Sequence, residues 1–285
     1  MSIQIITDSA SDIIDPDRED LTILPMTITF NGTEYQDGIN LSHREFYEKL
    51  IESDELPTTS QIAPYPFEEA IRRVTQVGDT PIIITLSGKL SGTYQSACLA
   101  ASQFEDKVYV VDSENVAVGQ RALVEYALRL KDQGKDAEAI TAELERSKKY
   151  THTIALLDTL EYLKKGGRIS KAAAFAGGVL SIKPVVGVVD GEVVILGKAR
   201  GSKQGNNLLI EQIDHFGGID FNKPYVLGYT GLSDMLIQKY ISDSKEIWQS
   251  YAEDLPVFTV GGTIGTHVGP GAIAVAFFSP DQNTN

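Results

Sequence analysis

The sequence predicts an α/β protein of two lobes: a parallel-sheet domain over residues 1–150, with a small hairpin near 28–40, and a mixed α/β domain over 151–285. Three observations predict it. In the first half, the apolar runs IQIITDS, PIIIT and VYVVDS alternate with helical patterns, which implies parallel strands joined by crossover helices. In the second half, PVVGVVDGEVVILGKAR places two β runs around Asp190-Gly191, the signal of an antiparallel hairpin. The length, 285 residues, exceeds that of an average single domain.

In chain order, IQIITDS reads as a buried strand ending in Asp8 and Ser9, and LTILPMTITF as a second extended run. NGTEYQDG has turn chemistry at both ends and suggests a hairpin. Ser42 with Glu45 forms a capping box that starts a helix at FYEKLIES. DELPTTSQIAPYP is a proline-punctuated loop before the helix FEEAIRRVTQ, where Phe67, Ile71 and Val74 share one face. PIIIT is a strand covered on both sides, TYQSACLAASQF a helix, VYVVDS a strand, and AVGQRALVEYALRLKDQG a helix stopped by Gly134. DAEAITAELERSKKY closes the first half. THTIALL, the hairpin, KPYVLGYTG, PVFTVGGTIG and GAIAVAFF supply the later strands; SKQGNNLLIEQIDHF and LSDMLIQKYISDSKEIWQ supply helices. Ligands of parallel α/β sheets sit beyond the carboxyl ends of the strands, where DSAS, TLSGKLSGTYQSA and DSENVAVG fall.

Bulk properties exclude several function classes. Net charge is −14 and the isoelectric point about 4.7, so the surface repels nucleic acid and anionic membrane. No apolar stretch is long enough to span a bilayer. The start, MSIQIITDSA, lacks a basic segment followed by an apolar one, so the expected location is the cytoplasm. A single cysteine, Cys98, agrees with a reducing compartment, and no Cys/His cluster has metal-ligand spacing.

The loop TLSGKLSGTYQSA decides the chemistry. A phosphate loop needs Ser or Thr after Gly-Lys, and here Leu90 follows Gly88-Lys89. A nucleophile elbow needs its serine one place earlier than Ser91. What remains is Ser91-Gly92-Thr93 opening a helix, where free backbone N–H groups and two hydroxyls can hold an anion. The same residues can instead simply cap the helix. Thr58-Thr59-Ser60 is a second hydroxyl cluster, open to the same two readings, and GGTIGTHVGPG is a glycine-rich loop carrying Thr266 and His267. His43, His152 and His215 have no comparable setting. Two basic spots stand out in this acidic chain: Lys164, Lys165, Arg168 and Lys171, and Lys198, Arg200 and Lys203, each a solvated turn or a docking patch.

Taken in order, TDSASDI, LPMTITFNGTEYQDG, PTTSQIAP, LSGKLSGTYQSA, VVDSENVAVGQ, LEYLKKGGRIS, SIKPVVGVVDGE, GKARGSK and IGTHVGPGAIAVAF resemble the DegV family of bacterial fatty-acid-binding proteins, along nearly the whole chain. The chain departs from the family pattern at IAP, which follows T-T-S-Q, and at GYTG. The resemblance implies two α/β domains with one long-chain fatty acid in a tunnel between them. It implies that the carboxylate meets Thr59 or Ser60, Ser91, Gly92 and Thr93, with Thr266 and His267 beside it. It further implies a non-catalytic subunit that needs no cofactor and presents the acid to a separate ATP-binding kinase subunit for acyl-phosphate formation, with Arg200 at the docking face; Arg168, in the other basic spot, is the second docking candidate.

The physics of such a ligand is consistent. Burying about 16 carbons at about 0.8 kcal/mol per methylene gains on the order of 10 kcal/mol before association costs. Affinity then comes from the tail, and neutral hydroxyls orient the head. Tail-lining candidates are Ile28, Phe30, Leu90, Phe175, Ile264 and Phe277. Two rivals use the same residues: a lipid-ester hydrolase with Ser91 as nucleophile, His267 as base and Asp8 or Asp112 as orienter, and a module for a phosphorylated metabolite.

Overall fold

The structure, a computed structural model, describes residues 2–14, 17–105, 107–169, 182–248 and 255–280. The chain runs β1 (Ile3–Asp8), β2 (Leu21–Leu24), β3 (Thr27–Phe30), β4 (Thr33–Gln36), α1 (His43–Glu52), β5 (Thr58–Ser60), α2 (Pro64–Gln76), β6 (Thr80–Thr85), α3 (Thr93–Ala101), β7 (Tyr109–Asp112), α4 (Val118–Asp132) and α5 (Ala137–Ser147). It continues with β8 (Thr151–Leu156), α6 (Glu161–Lys165), β9 (Ile182–Val189), β10 (Glu192–Arg200), α7 (Gly201–His215), β11 (Val226–Tyr229), α8 (Met235–Asp243), α9 (Lys245–Trp248), β12 (Val257–Thr259), α10 (Gly262–Val268) and β13 (Ile273–Phe278).

Three sheets result. The first is parallel, in the order β2-β1-β6-β7. The second is mixed, in the order β10-β9-β8-β13-β11-β12, and only β11 and β12 pair in parallel within it. The third is the small antiparallel sheet β4-β3-β5. The two-domain α/β class read from the sequence is the one observed. Asn31-Gly32 and Asp190-Gly191 both adopt positive φ at two successive positions, the turn that matches strand twist, so both hairpins form where the dipeptides predict. Ser42 and Glu45 complete their capping box.

Helix α4 joins the two lobes. One side packs on β1 and β6, the other on β8, β11 and β13. Ile5, Ile84 and Val111 therefore share a core with Val226, Ala276 and Phe278. A helix buried on both sides needs apolar residues nearly all round, and Ala122, Leu123, Val124, Ala127 and Leu130 supply them.

Four expectations are corrected. LTILPMTITF is not one strand: Pro25 carries no N–H to continue the ladder, so β2 joins the parallel sheet and β3 the small one. Thr58–Ser60 is not loop but β5, paired to β3. The helix predicted over LSDMLIQKYISDSKEIWQ divides at Ser244, whose hydroxyl donates to the Tyr240 carbonyl at 2.6 Å and accepts from Trp248 Nε1 at 2.9 Å. Most consequentially, GGTIGTHVGPG is mostly helix, α10. Its glycines serve close packing: a Cβ on Gly262 would lie 2.5 Å from Ile28 Cδ1, and one on Gly265 would lie 2.5 Å from Phe46 Cε1. Helix α10, from the second half of the chain, thereby rests directly on β3 and α1 of the first.

Candidate ligand-binding site

Three elements from distant parts of the chain converge on one cavity of about 370 Å³. Strand β5 brings Thr59 and Ser60, the turn before α3 brings Leu90, Ser91 and Gly92, and α10 brings Thr263, Ile264, His267 and Val268. Met26, Gln61, Leu86, Val116, Leu163, Arg168 and Val193 complete the wall. Thr59 Oγ1 lies 2.9 Å from His267 Nε2, across the two lobes. Ser91 Oγ lies 3.0 Å from Thr93 Oγ1.

His267 is held neutral. Burial and the neighbouring Arg168 guanidinium lower its pKa to about 4. Its Nδ1 is buried without a hydrogen-bond partner and packs against Gly166, where any side chain would collide with it. Arg168 donates through Nη1 to the Gly166 carbonyl at 2.6 Å and through Nε to the Leu90 carbonyl at 3.3 Å, so the guanidinium is fixed in the cavity wall.

A second, narrower cavity of about 70 Å³ shares Val116, Leu163, Val193, Ile264 and Val268 with the first. Strand register explains its shape. Gly228, Ala274, Ala155 and Val186 are successive cross-strand partners on β11, β13, β8 and β9. This row of small side chains leaves a depression in the six-stranded sheet, closed over by Val116 and Ala117 before α4. The residues that the two cavities share set an apolar slot directly behind the polar mouth.

The structure brings Thr59, Ser60, Ser91, Gly92 and His267 to this mouth. It does not bring Thr93 or Thr266 there. Thr93 is fully buried and accepts from Ile62 N at 3.3 Å, tying the two hydroxyl segments together. Thr266 donates back to the Gly262 carbonyl inside α10 at 2.9 Å. The free amides expected at the Ser-Gly-Thr turn are mostly used: Gly88 N donates to Asp112, Lys89 N to Ser87 Oγ, Leu90 N and Ser91 N to the Ser87 carbonyl, and Thr93 N to Ser91 Oγ. Hydroxyls rather than a nest of backbone amides therefore define the polar end.

Arg168, read as a docking residue, stands in the cavity wall, whereas Arg200 is exposed at the end of β10. Leu90 and Ile264 line the cavity; Ile28, Phe30 and Phe277 sit in other cores. Phe175 and Lys171 lie outside the described residues. Sequence reasoning missed Val116, Leu163, Val193 and Val268, which carry no signal beyond being apolar. Gln61 was within reach, since it completes the T-T-S-Q segment.

The hydrolase arrangement is not assembled. His267 Nε2 engages Thr59, and Ser91 engages Thr93. Asp8, whose burial raises its pKa to about 6, accepts from Leu86 N and Ala10 N, while Asp112 accepts from Gly88 N and Glu114 N. Nucleophile, base and orienter are thus each bound to something else. Among the described residues no group of acids, histidines and cysteines is arranged to hold a metal ion, and no helix is long and apolar enough to cross a membrane.

The fold defines a two-lobed α/β protein with a cavity between its lobes. Residues 2–280 match the family model described as uncharacterised protein, DegV family, and the chain belongs to that family. It is 34% identical to a DegV domain-containing protein of Caldanaerobacter subterraneus subsp. tengcongensis, over 96% of this chain and 98% of that one. It is 33% identical to another from Deinococcus radiodurans, over 97% and 98%. Among solved structures, a fatty-acid-binding DegV family protein from Thermus thermophilus superposes with a TM-score of 0.87 at 31% identity, covering 98% of this chain and all of that one. DegV from Bacillus subtilis, described as a fatty acid binding protein, gives 0.81 at 28% identity, covering 98% and 100%.

Proposed function

We propose that this chain binds one long-chain fatty acid, with its carboxylate at Thr59, Ser91 and His267 and its tail in the apolar slot. The observation that carries this reading is the apolar wall the two cavities share, with hydroxyls and a neutral imidazole on one side of it and a floor of Gly228, Ala274 and Ala155 on the other. A phosphorylated metabolite has no use for such a slot, because a polar ligand gains nothing from the apolar area it would bury. The Thermus thermophilus relative is described as binding fatty acid, which supports the reading. Native mass spectrometry of purified protein tests it: a co-purifying long-chain acid is expected, and a small polar ligand in its place would overturn it.

The chain then acts as a carrier, presenting the acid in the cytoplasm to a separate ATP-dependent kinase subunit. The neutral His267 and the hydroxyls hold the carboxylate, while the Arg168 guanidinium in the same wall is engaged by the Gly166 and Leu90 carbonyls, which leaves the carboxylate nucleophilic towards ATP. Exposed Arg200 offers a docking cation. With a purified ATP-binding fatty-acid kinase subunit, acyl-phosphate formation is expected, and Arg200→Glu is expected to reduce it at least about tenfold through lost electrostatic complementarity. Equal turnover in the variant would remove Arg200 from the docking face. Ester hydrolysis lost in Ser91→Ala would instead favour the hydrolase.

A further inference from the structure

Ser87 is fully buried just after β6, outside the walls of both cavities, and none of its bonds goes to a residue expected at the carboxylate except through the Ser91 amide. Its hydrogen bonds nevertheless organise the whole turn. Its carbonyl accepts from Leu90 N at 3.0 Å and Ser91 N at 3.2 Å, its hydroxyl accepts from Lys89 N at 3.2 Å, and its own amide donates to the Asn115 carbonyl at 2.8 Å. The same hydroxyl donates to the Gly191 carbonyl at 2.8 Å, at the tip of the β9–β10 hairpin of the other lobe. The inner face of that hairpin, with Val186, Val188 and Val193, walls the apolar slot.

We infer that Ser87 is a positioning residue for the carboxylate site: its hydroxyl fixes the turn that aims Ser91, and it anchors that turn to the hairpin that walls the tail. One side chain thus joins the head end to the tail end across the lobe boundary. The argument is geometric. A serine hydroxyl has one proton to donate, and here the donation goes across the boundary, to the hairpin. Its lone pairs serve Lys89 N at the same time, so the turn and the hairpin tip share one oxygen. Removing that oxygen leaves the Lys89 amide on one lobe and the buried Gly191 carbonyl on the other without this partner, and the buried carbonyl can recover one only by shifting. Gly191 tests the same bond from the far side: a Cβ there would lie 2.6 Å from Ser87 Oγ.

The inference rests on the fatty-acid reading, and its test separates the two. Binding of hexadecanoic acid and of hexadecan-1-ol is measured for the full chain, with Ser87→Ala, Ser87→Thr and Gly191→Ala. A positioning role lowers the preference for acid over alcohol, by about tenfold or somewhat less for one lost hydrogen bond, in both Ser87→Ala and Gly191→Ala. Ser87→Thr, which keeps the hydroxyl, retains the preference. Should either disruptive variant fail to fold, judged by thermal melting, the other reads the same bond. A preference within about twofold of wild type, or an equal loss for acid and alcohol, would overturn the positioning role. Wild-type protein that binds neither compound would overturn the fatty-acid reading itself.

Discussion

The two ends of the cavity are built in opposite ways. The head end is assembled from short contiguous segments, Thr59–Gln61 and Leu90–Gly92, each delivering several wall residues from one turn or strand. The tail end is assembled across strands: Gly228, Ala274, Ala155 and Val186 are neighbours in space only because four strands are in register. A polar site needs particular atoms at particular angles, which a local segment can fix. An apolar slot needs only volume, which any suitably spaced set of small side chains can leave. The first kind of site marks the sequence, and the second does not.

Substitutions at each end sharpen this contrast. The largest effect is expected at the tail. Ala274→Asp puts an unpaired carboxylate in the slot; the group has no partner there, so fatty-acid binding should be abolished and stability reduced by several kcal/mol. Isothermal calorimetry and denaturant titration check both, and retained binding would show that the tail does not use this floor. Next is the wall between the ends. Phe46 is fully buried and packs where Gly262 and Gly265 lack side chains. Phe46→Ala should cost about 3–5 kcal/mol in chemical denaturation and loosen α10, weakening head and tail contacts together.

The head end has a pH signature of moderate size. His267 has its pKa lowered to about 4 in the fold against 6.5 when free, so the unfolded chain binds the extra proton first. Its contribution to stability is complete above 6.5 and is lost as pH falls towards 4. The difference between wild type and His267→Gln isolates this histidine from Asp8, whose raised pKa acts in the opposite sense. The variant should lose less stability than wild type over that interval, by up to about 3 kcal/mol. Parallel pH curves would mean that the imidazole takes up its proton as readily in the fold as in the unfolded chain. The smallest change is Thr59→Val, which removes the hydroxyl facing His267 Nε2 and should weaken acid binding about three- to tenfold while leaving alcohol binding nearly unaltered.

Legibility followed the same division. The hairpins at Asn31-Gly32 and Asp190-Gly191, the capped start of α1 and the alternation of strand and helix could be read directly, because turn chemistry and periodicity act within a few residues. Ser91 and His267 could be picked out as polar groups beside glycines, Gly92 among them, and Thr59 and Ser60 as part of a hydroxyl cluster in a proline-punctuated segment. Thr93 and Thr266 looked identical to them in sequence, and only packing turned their hydroxyls to internal bonds. The glycines of α10 were misread as loop glycines, since a missing side chain in a helix signals nothing until the ring of Phe46 is seen against it.

By itself, then, the sequence determined the α/β class, the two hairpins, the acidic surface and the small set of hydroxyl and imidazole groups available to a ligand. These follow from local backbone preference and from charge, both of which belong to the residues themselves. Only the tertiary structure decided that Thr59 meets His267 across 208 positions of chain, that Arg168 lines the cavity, and that Ala155, Ala274 and Gly228 leave a slot between the lobes. Those outcomes depend on strand register and on α4 packing against both sheets, and register is a property of partners rather than of any one segment.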